Sequence, residues 1–193
     1  MKNNNKNKSN GFSLVELLVT ISVILIVTTV VWVNYSQFNK SFALERSANQ
    51  TAQEIRGVLE KSLSAETPEN VTIDNFKGGY GVFFEIGRNY YTSFIDLNDN
   101  GLFDGGSEFL KEISLEEGVS ILNIQTFFFG GSLCSEEENN IIFLSPDPTV
   151  FIGGKDVDEN SKCDYIEITI AHDSLGEEKK ISVNRSGLIS LEE

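Results

Sequence analysis

The sequence predicts an α+β protein: a long N-terminal helix, membrane-spanning in its first half and amphipathic in its second, packed on an antiparallel β-sandwich-like domain. Three observations predict it. Residues 12–33 form a run in which sixteen of 22 residues are apolar and one is charged. Residues 34–63 continue without proline, with apolar residues at steps of three and four. Beyond Pro68 the chain breaks into short runs rich in Val, Ile, Phe and Tyr separated by turn residues.

The chain has 193 residues, 40% of them hydrophobic, and a formal charge of −14. Fourteen Phe and three Pro argue for a packed core and against general disorder. The acidity argues against a phosphate-backbone binder, which needs clustered Lys and Arg.

Residues 1–11 carry Lys2, Lys6 and Lys8, five Asn and no acid. The apolar run that follows is roughly 33 Å long as a helix, close to the ~30 Å thickness of a hydrocarbon core. Trp32 and Tyr35 stand where the run leaves the membrane, as interfacial aromatics do. The Lys-rich side is expected to remain cytoplasmic and the rest to cross. Val31, Trp32 and Val33 make a poor secretory cleavage site, so the run is expected to stay. Its one charge, Glu16, costs up to ~3 kcal/mol near a bilayer centre and less near an end. No basic residue of the run can pair with it. An α-amine freed at residue 12 would be a suitable partner, in the same chain or a neighbour.

The segment Gly11-Phe12-Ser13-Leu14-Val15-Glu16-Leu17-Leu18-Val19 resembles the cleavage and methylation motif of type IV pilins and type II secretion pseudopilins. The resemblance implies cutting by prepilin peptidase between Gly11 and Phe12, on the cytoplasmic side. It also implies N-methylation of Phe12, and pairing of Glu16 with the Phe12 amine of an adjacent subunit during assembly. The expected organisation is a cleaved leader (1–11), a transmembrane half-helix (12–33), an amphipathic half-helix (34–65) and an exported β-domain (66–193). The expected partners are other subunits through the helix, prepilin peptidase, the inner-membrane assembly platform and lipid.

In the amphipathic half the stripe runs through Phe38, Phe42, Ala48, Ala52, Ile55, Leu59 and Leu63, interrupted by Glu45. Lys40, Ser47, Gln50, Glu54 and Lys61 lie opposite, with Val58 among them. Strands are expected near 71–74, 81–86, 90–95, 109–113, 119–124, 141–144, 165–170, 180–185 and 188–191. Their order, with the segment 95–108 and the terminal Ile181-Ser-Val-Asn-Arg-Ser-Gly-Leu-Ile189, is similar to the GspH and FimT type of minor pseudopilin. That type has the pilin helix followed by a two-sheet β-sandwich. Its usual Gly-Arg before the last strand is here Gly187-Leu188.

Other candidate sites are few. Asp96, Asn98, Asn100 and Asp104, with Gly101 at position six, have the spacing of a calcium loop. Position twelve is Ser107, and Glu108 comes one residue late. The other reading is a tight Asn/Asp/Gly hairpin loop. Cys134 and Cys163 lie in the part expected to be exported, where a disulfide can form; free thiols are the alternative. His172, beside a turn, is expected at the surface, and Phe127-Phe128-Phe129 is read as the end of a core strand, the other reading being an exposed contact patch for a neighbouring subunit. The acidic run 136–138 is read as a solvated loop. No nucleophile, phosphate loop or paired-acid arrangement supports an enzyme. A DNA-uptake subunit of the FimT kind would need a basic stripe. Near the C-terminus only Lys179, Lys180 and Arg185 cluster, flanked by Glu177, Glu178, Glu192 and Glu193, so no nucleic acid is expected.

Overall fold

The computed structural model describes residues 12–64, 79–134, 139–144, 149–154 and 163–192. The leader with Gly11, the run 71–74, the acidic residues 136–138 and the prolines at 146 and 148 lie outside these.

Helix α1 runs from Leu14 to Leu63. Leu17 N–H donates to the Ser13 carbonyl at 3.1 Å, closing the first turn. The last turn carries Lys61, a cation where carbonyl dipoles point outward. The chain divides into two compact units, residues 1–39 and 40–193. In the first, the described side chains of the helix are exposed on every side.

Among the described residues of the second unit, nine strands form two antiparallel sheets. The strands are β1 (Gly79–Phe83), β2 (Tyr90–Ile95), β3 (Phe109–Ser114), β4 (Val119–Phe127), β5 (Asn140–Leu144), β6 (Val150–Ile152), β7 (Tyr165–His172), β8 (Glu178–Asn184) and β9 (Ile189–Glu192). One sheet has the order β3-β2-β1-β5-β6 and the other β4-β7-β8-β9. Ile168 of β7 faces Ile124 of β4 on one side and Ile181 of β8 on the other. Alternate residues of β7 therefore point to one buried face.

The main core joins α1 to both sheets. Leu44, Ala48, Ala52, Ile55 and Val58 from the helix belong to one cluster with Val82, Phe84, Tyr91, Phe143, Ile166, Ile168 and Ile181. The buried helix face is rotated from the stripe read in the sequence. Ser47, Thr51, Val58 and Ser62 are buried, whereas Phe38, Phe42 and Leu63 are exposed. Hydrogen bonding explains how the hydroxyls enter the core. Thr51 Oγ donates to the Ser47 carbonyl at 2.8 Å, Ser47 Oγ accepts from the Glu116 N–H at 3.0 Å, and Ser62 Oγ donates to the Phe143 carbonyl at 2.7 Å.

In the first sheet, strands β1, β2, β5 and β6 are buried on both faces, whereas the edge strand β3 is mostly exposed. On the face away from the main core, Phe94, Ile142 and Phe151 form a second cluster with Phe83, Phe103 and Leu144. Phe103 comes from the loop after β2. Its ring lies 5.3 Å from that of Phe83 and 5.1 Å from that of Phe94.

Eight of the expected strands fall on β1–β5 and β7–β9, with shifted ends. The run expected at 81–86 begins at Gly79 and stops at Phe83, ahead of a turn in which Gly87 has φ 82°. The short strand β6 has only three residues and gave no periodic signal in the sequence.

Candidate functional site

The candidate site is the N-terminal segment. Phe12 is 77% exposed, and its neighbours Leu14, Val15, Leu17 and Leu18 are exposed too. The first part of α1 is apolar enough and long enough to cross a membrane, and its described side chains are exposed throughout. Such an apolar surface needs lipid or other helices around it.

Four of its hydroxyls are satisfied internally. Thr20 Oγ donates to the Leu17 carbonyl at 2.9 Å, Ser22 to Leu18 at 2.8 Å, Thr28 to Ile24 at 2.7 Å and Thr29 to Leu25 at 2.8 Å. These bonds let hydroxyls sit in a hydrocarbon environment without an outside partner. A carboxylate has only acceptor oxygens and cannot do the same with helix carbonyls. Glu16 is therefore the one side chain of residues 12–33 whose chemistry asks for a donor from elsewhere.

The loop carrying the calcium-type spacing is closed by its own amides. Asp96 is fully buried, and its carboxylate accepts from Asn100 N–H at 3.2 Å and Gly101 N–H at 2.8 Å. Glu108, also buried, accepts from Leu97 N–H at 3.1 Å and Asp104 N–H at 2.9 Å. Asn98 and Asn100 both donate to Asp104, at 2.7 and 2.8 Å. Burial pushes the Asp96 carboxyl above its ordinary range, against the pull of the Gly101 and Asp99 amides. Among the described residues no three His, Cys, Asp or Glu side chains converge as a metal site. The geometry gives the loop a packing role, since it sets Phe103 over the second cluster.

Cys134 and Cys163 are joined by a disulfide, with Cα atoms 5.8 Å apart. The bridge closes the base of a turn whose apolar residues are not core, contrary to the sequence reading of that run. Phe129 is 75% exposed, and Phe128 and Leu133 are exposed beside it. Glycines explain the outward course: Gly130 and Gly131 have φ of 109° and 83°, so the strand cannot continue inward. His172 also departs from expectation. It is 8% exposed, and a Cβ added at Gly118 would meet its ring at 2.8 Å. The missing side chain at Gly118 is what makes room for the imidazole, a relation between residues too far apart in the chain to be read from spacing.

Of the C-terminal cations, Arg185 pairs with Asp164 at 3.1 Å, which also accepts from Phe129 N–H at 2.8 Å. It is thus engaged in holding the turn.

With this geometry in hand, the comparisons are specific at one place. Residues 6–32 match the family described as the prokaryotic N-terminal methylation motif. That match covers the exposed apolar segment and Glu16. No curated protein and no solved structure matches the chain at a significant level. The chain therefore carries a prepilin-type methylation motif at the head of an apolar helix, followed by an antiparallel two-sheet domain. This supports a membrane-anchored, type IV pilin-like subunit.

Proposed function

We propose that the chain is a structural subunit, a minor pilin or pseudopilin of the GspH and FimT type, and not an enzyme. Prepilin peptidase removes residues 1–11 by cutting between Gly11 and Phe12, and Phe12 is N-methylated. The helix holds the subunit in the inner membrane, with its N-terminus cytoplasmic and its β-domain outside. The subunit then passes through the assembly platform into a type IV pilus or a type II secretion pseudopilus. The observation that carries this reading is a single acid, Glu16, on an exposed apolar helix inside a methylation motif. Its carboxylate answers the cationic α-amine of Phe12 on a neighbouring copy. That contact satisfies a charge costing up to ~3 kcal/mol in lipid, and it sets the stagger between copies.

Loss of the leader removes three lysines and takes the formal charge from −14 to −17. The acids other than Glu16 fall outside the membrane run, where they solvate the exported part.

Glu16→Ala tests the reading. The variant should insert and be cleaved normally, giving a mature chain that starts at methylated Phe12 by mass spectrometry, yet be lost from sheared filaments. Wild-type levels of Glu16→Ala in the filament fraction would overturn the role of Glu16.

A further inference from the structure

The turn that follows β4 presents apolar side chains at one end of the second sheet. Phe128, Phe129 and Leu133 are exposed there. Leu188, in the turn between β8 and β9 at the same end, is 64% exposed. The cross-strand pairs Phe127–Tyr165 and Tyr165–Asn184 bring the two turns to that end. Helix α1 is held at the other end, where Arg46 meets Glu116 and Ser41 Oγ donates to Glu177 at 2.9 Å. β4 has nine residues, so about 30 Å of strand separates that end from the turn.

The turn cannot fold its rings away. Its base is closed by the Cys134–Cys163 bridge and by Asp164, which accepts from Phe129 N–H and pairs with Arg185. Gly130 and Gly131 hold positive φ at its crest, and a Cβ at either would meet nothing within 4 Å. An apolar surface fixed outward marks a contact with lipid or with another protein.

Two observations favour lipid. Residues 128–133 carry no charge, and the charges at the base of the turn, Asp164 and Arg185, neutralise each other. Backbone amides are also bonded within the turn: Phe128 N–H to the Ser132 carbonyl at 2.9 Å, Gly131 N–H to the Phe128 carbonyl at 3.0 Å, and Cys134 N–H to the Thr126 carbonyl at 2.8 Å. Amides satisfied in this way enter an apolar layer at little cost, whereas a peptide that adds to a strand needs them free. Protein contacts are anchored most often by Trp, Tyr or Arg. This turn offers Phe and Leu, which sink into the boundary between headgroups and acyl chains.

Charge selects the kind of lipid. The chain stands at −14, and Glu136, Glu137 and Glu138 follow Cys134 in the sequence. An anionic surface repels such a protein. We propose that the Phe128–Phe129–Leu133 turn, with Leu188 in the next turn, docks onto a lipid surface of no net charge, a bilayer other than the one holding residues 12–33. The chain enters this unit at residue 40, at the end of the sheet opposite the turn, which leaves the turn free to reach a second surface. The contact requires neither cleavage of the leader nor filament formation.

Flotation of the full chain tests this. The chain is held in phosphatidylcholine nanodiscs, mixed with protein-free phosphatidylcholine vesicles and spun on a density gradient. The wild type should float with the vesicles, and empty nanodiscs should not. Phe129→Ser should cut the floated fraction several-fold. Ile86→Ser, which removes an exposed apolar side chain from the turn between β1 and β2, should leave it unchanged. Both side chains are exposed, so both variants should melt with the wild type. Vesicles that are half phosphatidylglycerol should capture less protein at low salt. Phe129→Trp in a Trp32→Phe background should shift its emission to the blue when vesicles are added. No flotation of the wild type, undiminished flotation of Phe129→Ser, or an unshifted emission would overturn the proposal and leave the turn to a protein partner. Equal losses from Phe129→Ser and Ile86→Ser would overturn the place of contact. Stronger capture by the anionic vesicles would overturn the choice of lipid.

Discussion

Arg46 grips both oxygens of the Glu116 carboxylate, Nε at 3.0 Å and Nη2 at 3.1 Å. The pair ties α1 to the turn before β4, and the Glu116 backbone N–H is held a second time by Ser47 Oγ. A planar guanidinium and a carboxylate fit as a fork, which fixes direction as well as distance.

The first prediction concerns acid. Arg46 holds the Glu116 carboxyl below its ordinary value of 4.5, chiefly through its hydrogen bond, which outweighs the opposing effect of burial, with its charge adding a smaller pull. A carboxyl depressed in the folded state stabilises the fold above its unfolded value, and the contribution is lost as pH falls through the folded value. Both side chains are largely solvated, so the effect is small. Glu116→Gln should melt slightly below wild type at pH 7, and the difference should vanish as pH drops well below 4.5. Thermal melts of the full chain in detergent across that range check it. A gap that persists in acid would assign the effect to packing.

The second prediction concerns the loop after β2. Each oxygen of Glu108 accepts one backbone N–H, from Leu97 and Asp104. Glu108→Gln keeps one acceptor and turns an NH2 toward the other amide. An orphaned buried N–H costs about 1–3 kcal/mol, and denaturant unfolding should read a loss of that size. The loss should be equal in chelator and in millimolar calcium. Should calcium instead raise the wild-type melting temperature and fail to raise that of Glu108→Gln, the loop holds the ion its spacing suggested.

These two sites show which features were legible in the sequence. The apolar run, the motif around Glu16 and the alternating strands β7 and β8 are periodic over many residues, and period is what a sequence displays. The rotation of the buried helix face was not legible. Ser47, Thr51 and Ser62 look polar in isolation; Ser47 and Ser62 enter the core because the Glu116 amide and the Phe143 carbonyl, far along the chain, pair with them, and Thr51 because it bonds back to the Ser47 carbonyl of its own helix. Likewise the buried His172 depends on Gly118, and exposed Phe129 depends on two glycines with positive φ. The Ser47–Glu116, Ser62–Phe143 and His172–Gly118 pairings join residues that no local spacing relates.

The third prediction tests a close approach in the doubly covered sheet. Gly81 pairs with Phe94 across β1 and β2. A Cβ at Gly81 would lie 2.5 Å from Phe94 Cζ and 2.9 Å from the Ile141 carbonyl oxygen. The ring is fully buried and packed with Phe103, so it has little room to swing. Overpacking of this kind costs about 1–3 kcal/mol, and Gly81→Ala should lower stability by that much in denaturant unfolding. Gly176→Ala, with nothing within 4 Å of the new methyl, is the control and should be near neutral.

The fourth prediction concerns the turn that presents Phe129. Three devices hold it: the Cys134–Cys163 bridge, the Asp164 carboxylate on Phe129 N–H, and the Arg185–Asp164 ion pair. Stacking of Phe127 on Tyr165, with centroids 4.8 Å apart, fixes its base. The bridge spans 29 residues. On the chain-entropy account a loop of that length restricts the unfolded chain by about 3–4 kcal/mol. Replacing both cysteines by alanine should therefore lower the unfolding free energy by roughly that amount, with little change in far-ultraviolet circular dichroism. Asp164→Asn should cost less, because Arg185 loses a charge partner but the amide keeps an acceptor. Hydrogen exchange distinguishes the two. The double cysteine variant should speed exchange at the N–H groups of Phe128 and of position 134, whose bonds to Ser132 and Thr126 close the turn. If exchange there stays slow while global stability falls, the bridge acts on the unfolded chain alone and the turn is held by Asp164.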